Sequence, residues 1–315
     1  MAIEIDAQYR QLREECGLLD RSSRGKLAVR GAEAAEYLQG QLTNEIEELE
    51  PGEGCYAALL DRKGHMQADM RVLRTAPDEI LLDTEPIALD SAIRHLSTYN
   101  IGRDAEVVNE TAERSLLSLL GPRSAEISGF IPGEESSSEE GVIDGIGVRA
   151  IATRDGVDLL CAARDQDALA MALLERGAGE VGEEAAEILR IEAGVPRFGA
   201  EITPGTMPAE AGIVESAVSF TKGCYIGQET VARLHYKGRP NRHLRGLRFD
   251  RAASAGAALA LGEREAGAIG SACISPALGP IGLAILRREA EPGTSLEIGG
   301  GGTAEVVELP FGESA

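Results

Sequence analysis

The chain has 315 residues, of which 43% are hydrophobic and 26% charged, and its formal net charge is −21. That length exceeds what one hydrophobic core usually supports, so two or three domains are expected. A surface this acidic repels phosphate backbones and anionic lipid, which argues against direct nucleic-acid or membrane binding.

The opening residues, Met1 to Asp6, lack the basic and apolar regions of a signal peptide. Residues 6–20 read as an amphipathic helix, because Tyr9, Leu12, Cys16 and Leu19 recur at three- and four-residue spacing. Lys26 to Arg30 reads as a strand, and Gly31-Ala32-Glu33 opens a helix through Gln39. Cys55 to Leu60 and Gln67 to Leu73 form a hairpin turning at Asp61-Arg62-Lys63-Gly64. Ile80 to Leu82 adds a strand, and Pro86 to Leu96 a helix with Thr84 as its N-cap.

The second half repeats this grammar. Ser115 to Leu120 is a strand and Pro122 to Ile127 a short helix. Ile131 to Glu140 is a mobile acidic loop, Val148 to Thr153 and Val157 to Cys161 a hairpin, and Asp167 to Arg176 a helix. Gly145-Ile146-Gly147-Val148-Arg149-Ala150 matches a dinucleotide pattern, but it leads into a β-branched strand and reads as a hairpin turn. Glu183 to Ala193 is a helix stopped by Gly194 and Pro196. Beyond residue 245, short strands broken by glycine (Arg245 to Phe249, Ala268 to Ile274, Ile281 to Leu286, Ser295 to Ile298, Ala304 to Glu308) indicate a small β-barrel.

Five separated cysteines without metal or Cys-x-x-Cys spacing leave reduced thiols and a cytoplasmic protein as the expectation. No apolar run approaches the ~20 residues of a membrane span, and no sustained heptad suggests anything but a monomer. No Ser-His-Asp or His-Glu-x-x-His motif occurs, so chemistry falls to carboxylates, a thiol or a bound cofactor. The densest signal is Lys222-Gly223-Cys224-Tyr225-Ile226-Gly227-Gln228-Glu229, running on to Arg233. It sets one thiol between glycines and beside an ammonium that would favour the thiolate. Unlike the acidic whole, Arg233 to Arg248 carries Arg233, Lys237, Arg239, Arg242, Arg245 and Arg248 and no acid. Such an island is either a solvated run or an anion dock.

That signature resembles the YgfZ group of folate-binding proteins, relatives of the glycine-cleavage T-proteins. Tyr37 to Asn44, Ile191 to Pro196, Pro208 to Gly212, Ser219 to Thr221, and Ile274 to Gly279 with Ile281 to Ala284 are similar to that superfamily in the same order. The resemblance implies an α+β, three-domain, cloverleaf-like aminomethyltransferase fold: two α/β units with mainly antiparallel sheets and a C-terminal β-barrel. It implies interleaved units over 1–244 (roughly 1–48 with 111–200, and 49–110 with 201–244) and a barrel over 245–315.

It further implies tetrahydrofolate, also in polyglutamylated form, as cofactor. Glu192 would accept the paired donors of the pterin, and Arg233, Lys237, Arg239 and Arg242 would hold the glutamate tail. Lys222, Tyr225 and Gln228 join the cofactor set as signature residues, and no resident metal is implied. For the YgfZ group the implied role is folate-dependent assembly or repair of iron–sulfur clusters on client enzymes, and through them tRNA modification, with Cys224 as functional thiol. The alternative is an aminomethyltransferase or demethylase using Asp69, the surviving half of the acidic pair of T-proteins, whose other position is Ala68. A module that has lost folate is a third reading.

Overall fold

The computed structural model describes residues 5–311; Met1 to Glu4, on which the reading of the N-terminus partly rests, lie outside them. In chain order the elements are α1 (Ile5–Glu14), β1 (Gly17–Asp20), β2 (Gly25–Arg30), α2 (Ala34–Gln39), β3 (Gly54–Leu60), β4 (Met66–Ala76), β5 (Glu79–Thr84), α3 (Pro86–Tyr99) and β6 (Glu106–Asn109). There follow β7 (Arg114–Leu120), α4 (Ser124–Ser128), β8 (Ser138–Ile143), β9 (Ile146–Thr153), β10 (Gly156–Ala162), α5 (Gln166–Glu175), β11 (Gly179–Glu180) and α6 (Glu183–Glu192). The remainder is α7 (Pro208–Ala211), α8 (Val214–Ala217), α9 (Gln228–Lys237), β12 (Arg242–Phe249), β13 (Ala258–Leu261), β14 (Arg264–Ala268), β15 (Ser271–Ser275), β16 (Gly279–Arg287), β17 (Ser295–Ile298) and β18 (Thr303–Val307).

Three sheets result: β11-β1-β7-β10-β9-β8, β3-β4-β5-β2-β6 and β14-β13-β17-β18-β12-β16-β15. The mixed α/β architecture and the dominance of antiparallel pairing match expectation; β1 with β11 is a parallel pair. Strand alternation explains how the first two sheets stack. In the five-stranded sheet, Leu27, Val29, Ala68, Met70, Val72, Ile80 and Leu82 face a core closed by α2 and α3, whose Ala88, Ala92 and Leu96 repeat at four-residue spacing. The intervening Ala28, Leu73 and Leu81 face the other way, onto Leu116, Ile151 and Leu160 of the six-stranded sheet. That sheet covers its far side with α4 and α5. The third sheet docks on α6 through Ile191, Ile281 and Leu283.

Several expectations are corrected. The helix expected over 6–20 ends at Glu14, and Gly17–Asp20 is a strand paired with β7 and β11. Cys16 and Leu19 are both buried because the strand has core on each face, Cys16 and Leu18 in one cluster and Leu19 in another. Thr84 does not cap α3: its Oγ1 donates to the Asp69 carbonyl at 2.5 Å, and Glu85 takes the cap position. The acidic loop expected to reach Glu140 becomes β8 from Ser138 onward, an edge strand that pairs with β9. Asp144 and Gly145 join those two strands with φ of 50° and 85°, the left-handed pair of a tight hairpin, as expected from the sequence. The strand expected over 268–274 breaks at Ile269-Gly270 into β14 and β15. The C-terminal sheet is a curled half-barrel, where a closed barrel was expected. It bends until a Cβ on Gly267 of β14 would lie 2.8 Å from the Ile285 carbonyl of β16, but among the described residues no ladder joins those strands.

Candidate functional site

The inner face of the five-stranded sheet carries charge at alternate positions beside its apolar row. Register places Tyr56, Arg71, Asp83 and Lys26 opposite one another across β3, β4, β5 and β2. In the adjoining row Ala58 faces Asp69, and the same register runs past the ends of β5 and β2 to Glu85 and Arg24. Arg24 forks two carboxylates: its Nε lies 2.7 Å from Asp83, and its Nη1 pairs with Glu85. Arg71 bridges the sheets, 2.7 Å from Asp83 and 2.8 Å from Asp158 of β10. Lys26 Nζ donates to the carbonyls of Ser22 and Arg24, each at 2.8 Å. Burial opposes the Arg24 charge, but Asp83 and Glu85 outweigh it and hold the guanidinium protonated.

Asp69 is the exception in this lattice. It is buried, and unlike Asp83, Glu85 and Asp158 it has no ion pair among the described residues. Its one side-chain partner is Tyr56, whose hydroxyl donates to Oδ2 at 2.6 Å. Burial pushes the carboxyl up to about 6, with Glu85 adding to the shift and Tyr56 and Arg24 opposing it. A carboxyl poised there can hold or release a proton near neutral pH.

Glu192 ends α6 on the wall of a separate cleft of about 690 Å³, shared with Leu12, Arg13, Thr153, Arg154 and Leu278. An acid on a last helical turn opposes the helix dipole. Here hydroxyl donors compensate: Tyr9 Oη lies 3.0 and 3.1 Å from the two carboxylate oxygens, and Ser275 Oγ donates to Oε1. Asp69 does not line this cleft. The two regions are joined through Arg197, which is 3.6 Å from Glu85 and 3.0 Å from Glu187 of α6.

The cysteine signature lies elsewhere. Gly227 adopts φ of 87° and brings the chain against the β3–β4 turn, where a Cβ would sit 2.6 Å from the Asp61 carbonyl. The glycine thus serves a backbone-to-backbone contact. Cys224 is exposed. Lys222 is buried and turned into the protein, where Nζ donates to the carbonyls of Leu42 (2.8 Å) and Asn44 (2.5 Å). Burial lowers its pKa to about 8, and the thiol whose field it shares is Cys55. Tyr225 is buried, its hydroxyl without a partner among the described residues, under the Lys222 ammonium at 5.3 Å from the ring centroid. Gln228 starts α9 and donates to the Gly223 carbonyl at 3.4 Å.

Arg233, Lys237 and Arg239 line a cleft of about 370 Å³ with Thr230 and Asn241, and this cleft shares no lining residue with that of Glu192. Arg242 is engaged in a fork on Glu210, at 2.9 and 2.8 Å. Sequence reasoning missed Tyr56, Arg24, Glu85, Arg71 and Asp158 around Asp69, and Tyr9 and Ser275 around Glu192. The available signal was charge at every second position of otherwise apolar strands, as in Asp69-Met70-Arg71 and Leu82-Asp83-Thr84-Glu85.

Comparison with known proteins bears on these sites. The model of the GCVT N-terminal domain matches residues 1–222. An aminomethyltransferase of Rubrobacter xylanophilus is 30% identical over 323 residues, covering 98% of this chain and 86% of that protein. One from Halalkalibacterium halodurans is 30% identical over 311 residues, covering 93% and 84%. The glycine cleavage system aminomethyltransferase T from Bartonella henselae superposes with a TM-score of 0.87 at 25% identity, covering 98% of this chain and 90% of that one. These matches overturn the role in iron–sulfur cluster assembly and tRNA modification that the signature implied, together with its client enzymes and the functional thiol. The relatives that span the chain end to end are named aminomethyltransferases. The physical setting agrees, since the lysine expected to activate Cys224 is spent on backbone carbonyls.

Proposed function

Because the chain belongs to the GCVT N-terminal domain family of aminomethyltransferases, we propose that it is a folate-dependent aminomethyltransferase of the glycine-cleavage T-protein type. Such enzymes use tetrahydrofolate, which when bound supplies the nitrogen that accepts the one-carbon unit. The observation that carries the reading is Asp69: a buried carboxyl without an ion pair, held by Tyr56 and poised at about 6. With Oδ2 fixed by Tyr56, Oδ1 is the atom that takes and returns a proton, and a group of that basicity is mostly ionised yet still a competent acid at pH 7.

The Glu192 cleft fits a folate headgroup. Its volume lies within the usual range for small-molecule sites, and its wall includes Thr153, whose buried Oγ1 has no partner among the described residues. Tyr9 and Ser275 orient Glu192 to accept a paired donor edge. Arg233, Lys237 and Arg239 share a cleft of their own, and as cationic donors they are assigned to the far carboxylates of an extended polyglutamate tail. The chain divides, in this proposal, into two interleaved units and a C-terminal unit from about residue 245. Its first crossover is set at Arg21–Arg24 where about 48 was expected, a choice supported by the pairing of β2 with β5 and β6. A three-domain cloverleaf follows from that division.

The test is turnover of tetrahydrofolate with an aminomethyl donor carried on a thiol. Asp69→Asn should abolish product formation while leaving tetrahydrofolate binding within a few-fold of wild type. Wild-type protein that binds folate but forms no one-carbon product with such donors would refute the enzymatic reading.

A further inference from the structure

The lattice around Asp69 is dense in charge of both signs. Arg24, Lys26, Arg71 and Arg197 stand with Asp69, Asp83, Glu85 and Asp158, and at its margins Asp20 acts on Lys26 while Glu183 and Glu187 share Arg197. Tyr56 of β3 completes the surroundings of Asp69. Three of the carboxylates are neutralised by direct ion pairs, and Asp69 is not. Its ionisation therefore depends on the field of the charges beside it, among which Glu85 and Arg24 act in opposite directions. Glu85 is the cross-strand neighbour of Asp69 by register, and Arg24 is the next residue in that row. A like charge directly opposite would drive a proton onto Asp69 unless the guanidinium beyond it cancelled the field. Asp83 retains Arg71 as a second cation, whereas among the described residues Glu85 has, besides Arg24, the more distant Arg197 at 3.6 Å.

We propose that Arg24 is a positioning residue that acts through Glu85 to keep Asp69 ionised at neutral pH, and so sets the acid limb of the reaction. The inference rests on the proposed function for its kinetic consequence, but the charge state of Asp69 can be read without turnover. Removing Arg24 makes the field at Asp69 more negative by one charge, and the proton taken up goes to the carboxylate without an ion pair. Removing Glu85 does the opposite.

The experiment is a carboxyl ¹³C NMR titration of the full chain labelled at aspartate, with the Asp69 signal assigned from Asp69→Asn. Arg24→Gln should raise the Asp69 midpoint by roughly one unit or more, and Glu85→Gln should lower it. The double variant should fall back near wild type, and Arg24→Lys should stay close to it. At pH 7 the transfer rate of Arg24→Gln should fall roughly two- to tenfold, recovering at higher pH, with KM for tetrahydrofolate unchanged. If Arg24→Gln does not fold, Glu85→Gln decides the proposal alone, because a midpoint that fails to fall leaves Arg24 no opposing field to cancel and overturns it. A midpoint that ignores Arg24, or shifts of the same sign in both single variants, overturns the proposal. Absence of transfer in wild type would overturn the enzymatic reading alone, and the titration would still decide this one.

Discussion

At the scale of single residues, Asp69 is costly to fold and for that reason informative. Its carboxyl titrates near 6 in the folded chain against 3.8 for a free aspartate. Between those values the native state binds more protons than the unfolded one, so stability falls as pH rises through this window. Above it, the ionised site carries a penalty on the order of 2–3 kcal/mol. Asp69→Asn should therefore raise the melting temperature at pH 7.5 and have a much smaller effect at pH 4.5, while removing turnover. Calorimetry at both pH values checks this, and an equal gain at each would show that ionisation is not the source. Glu192 makes a different demand, on affinity. Losing a charged acceptor of two donors costs about 1.5–3 kcal/mol, so Glu192→Ala should weaken tetrahydrofolate binding roughly 10- to 100-fold in an anaerobic calorimetric titration.

At the scale of elements, the signature loop is tied to the segment after α2 by one buried ammonium. Lys222→Met would leave the carbonyls of Leu42 and Asn44 without their donor, at a cost on the order of 2 kcal/mol. Part of that is offset by relief of a buried charge. The pH dependence separates the two effects. The folded Lys222 titrates near 8, below the free value of 10.5, so between those values the unfolded chain binds more protons and stability contributed by this group rises with pH. Denaturant melts of wild type and Lys222→Met should differ more at pH 10 than at pH 7. An unchanged difference would mean that the ammonium is not in the buried position. Proximity in sequence had paired this lysine with Cys224, two residues on. Side-chain direction, fixed by packing on the loop at 42–44, pairs it with Cys55 instead.

At the scale of the whole molecule, strands and helices with a clean period were legible: the β3–β4 and β9–β10 hairpins, α3 and α6, on which Asp69 and Glu192 lie. What surrounds them was not. Arg24 and Glu85 become neighbours of Asp69 only because β2, β4 and β5 adopt one register, and Tyr9 and Ser275 meet Glu192 from 183 and 83 residues away. No local pattern encodes such meetings. The same long-range logic makes Arg197 a joint between the sheet that holds Asp69 and the helix that ends in Glu192, through Glu85 on one side and Glu183 and Glu187 on the other. Arg197→Gln should cost no more than about 1 kcal/mol, since Glu85, Glu183 and Glu187 each keep another arginine, Arg24, Arg21 and Arg190. It should also raise amide exchange in both α6 and the β5–α3 turn, because each loses the same anchor. Saturating tetrahydrofolate at a hundredfold above its Kd adds about 2.7 kcal/mol to any native state that binds it. If one ligand spans the Glu192 cleft and the Asp69 face, it should restore protection at both ends of the broken joint; if it occupies only the Glu192 cleft, protection should return at α6 while the β5–α3 turn stays open.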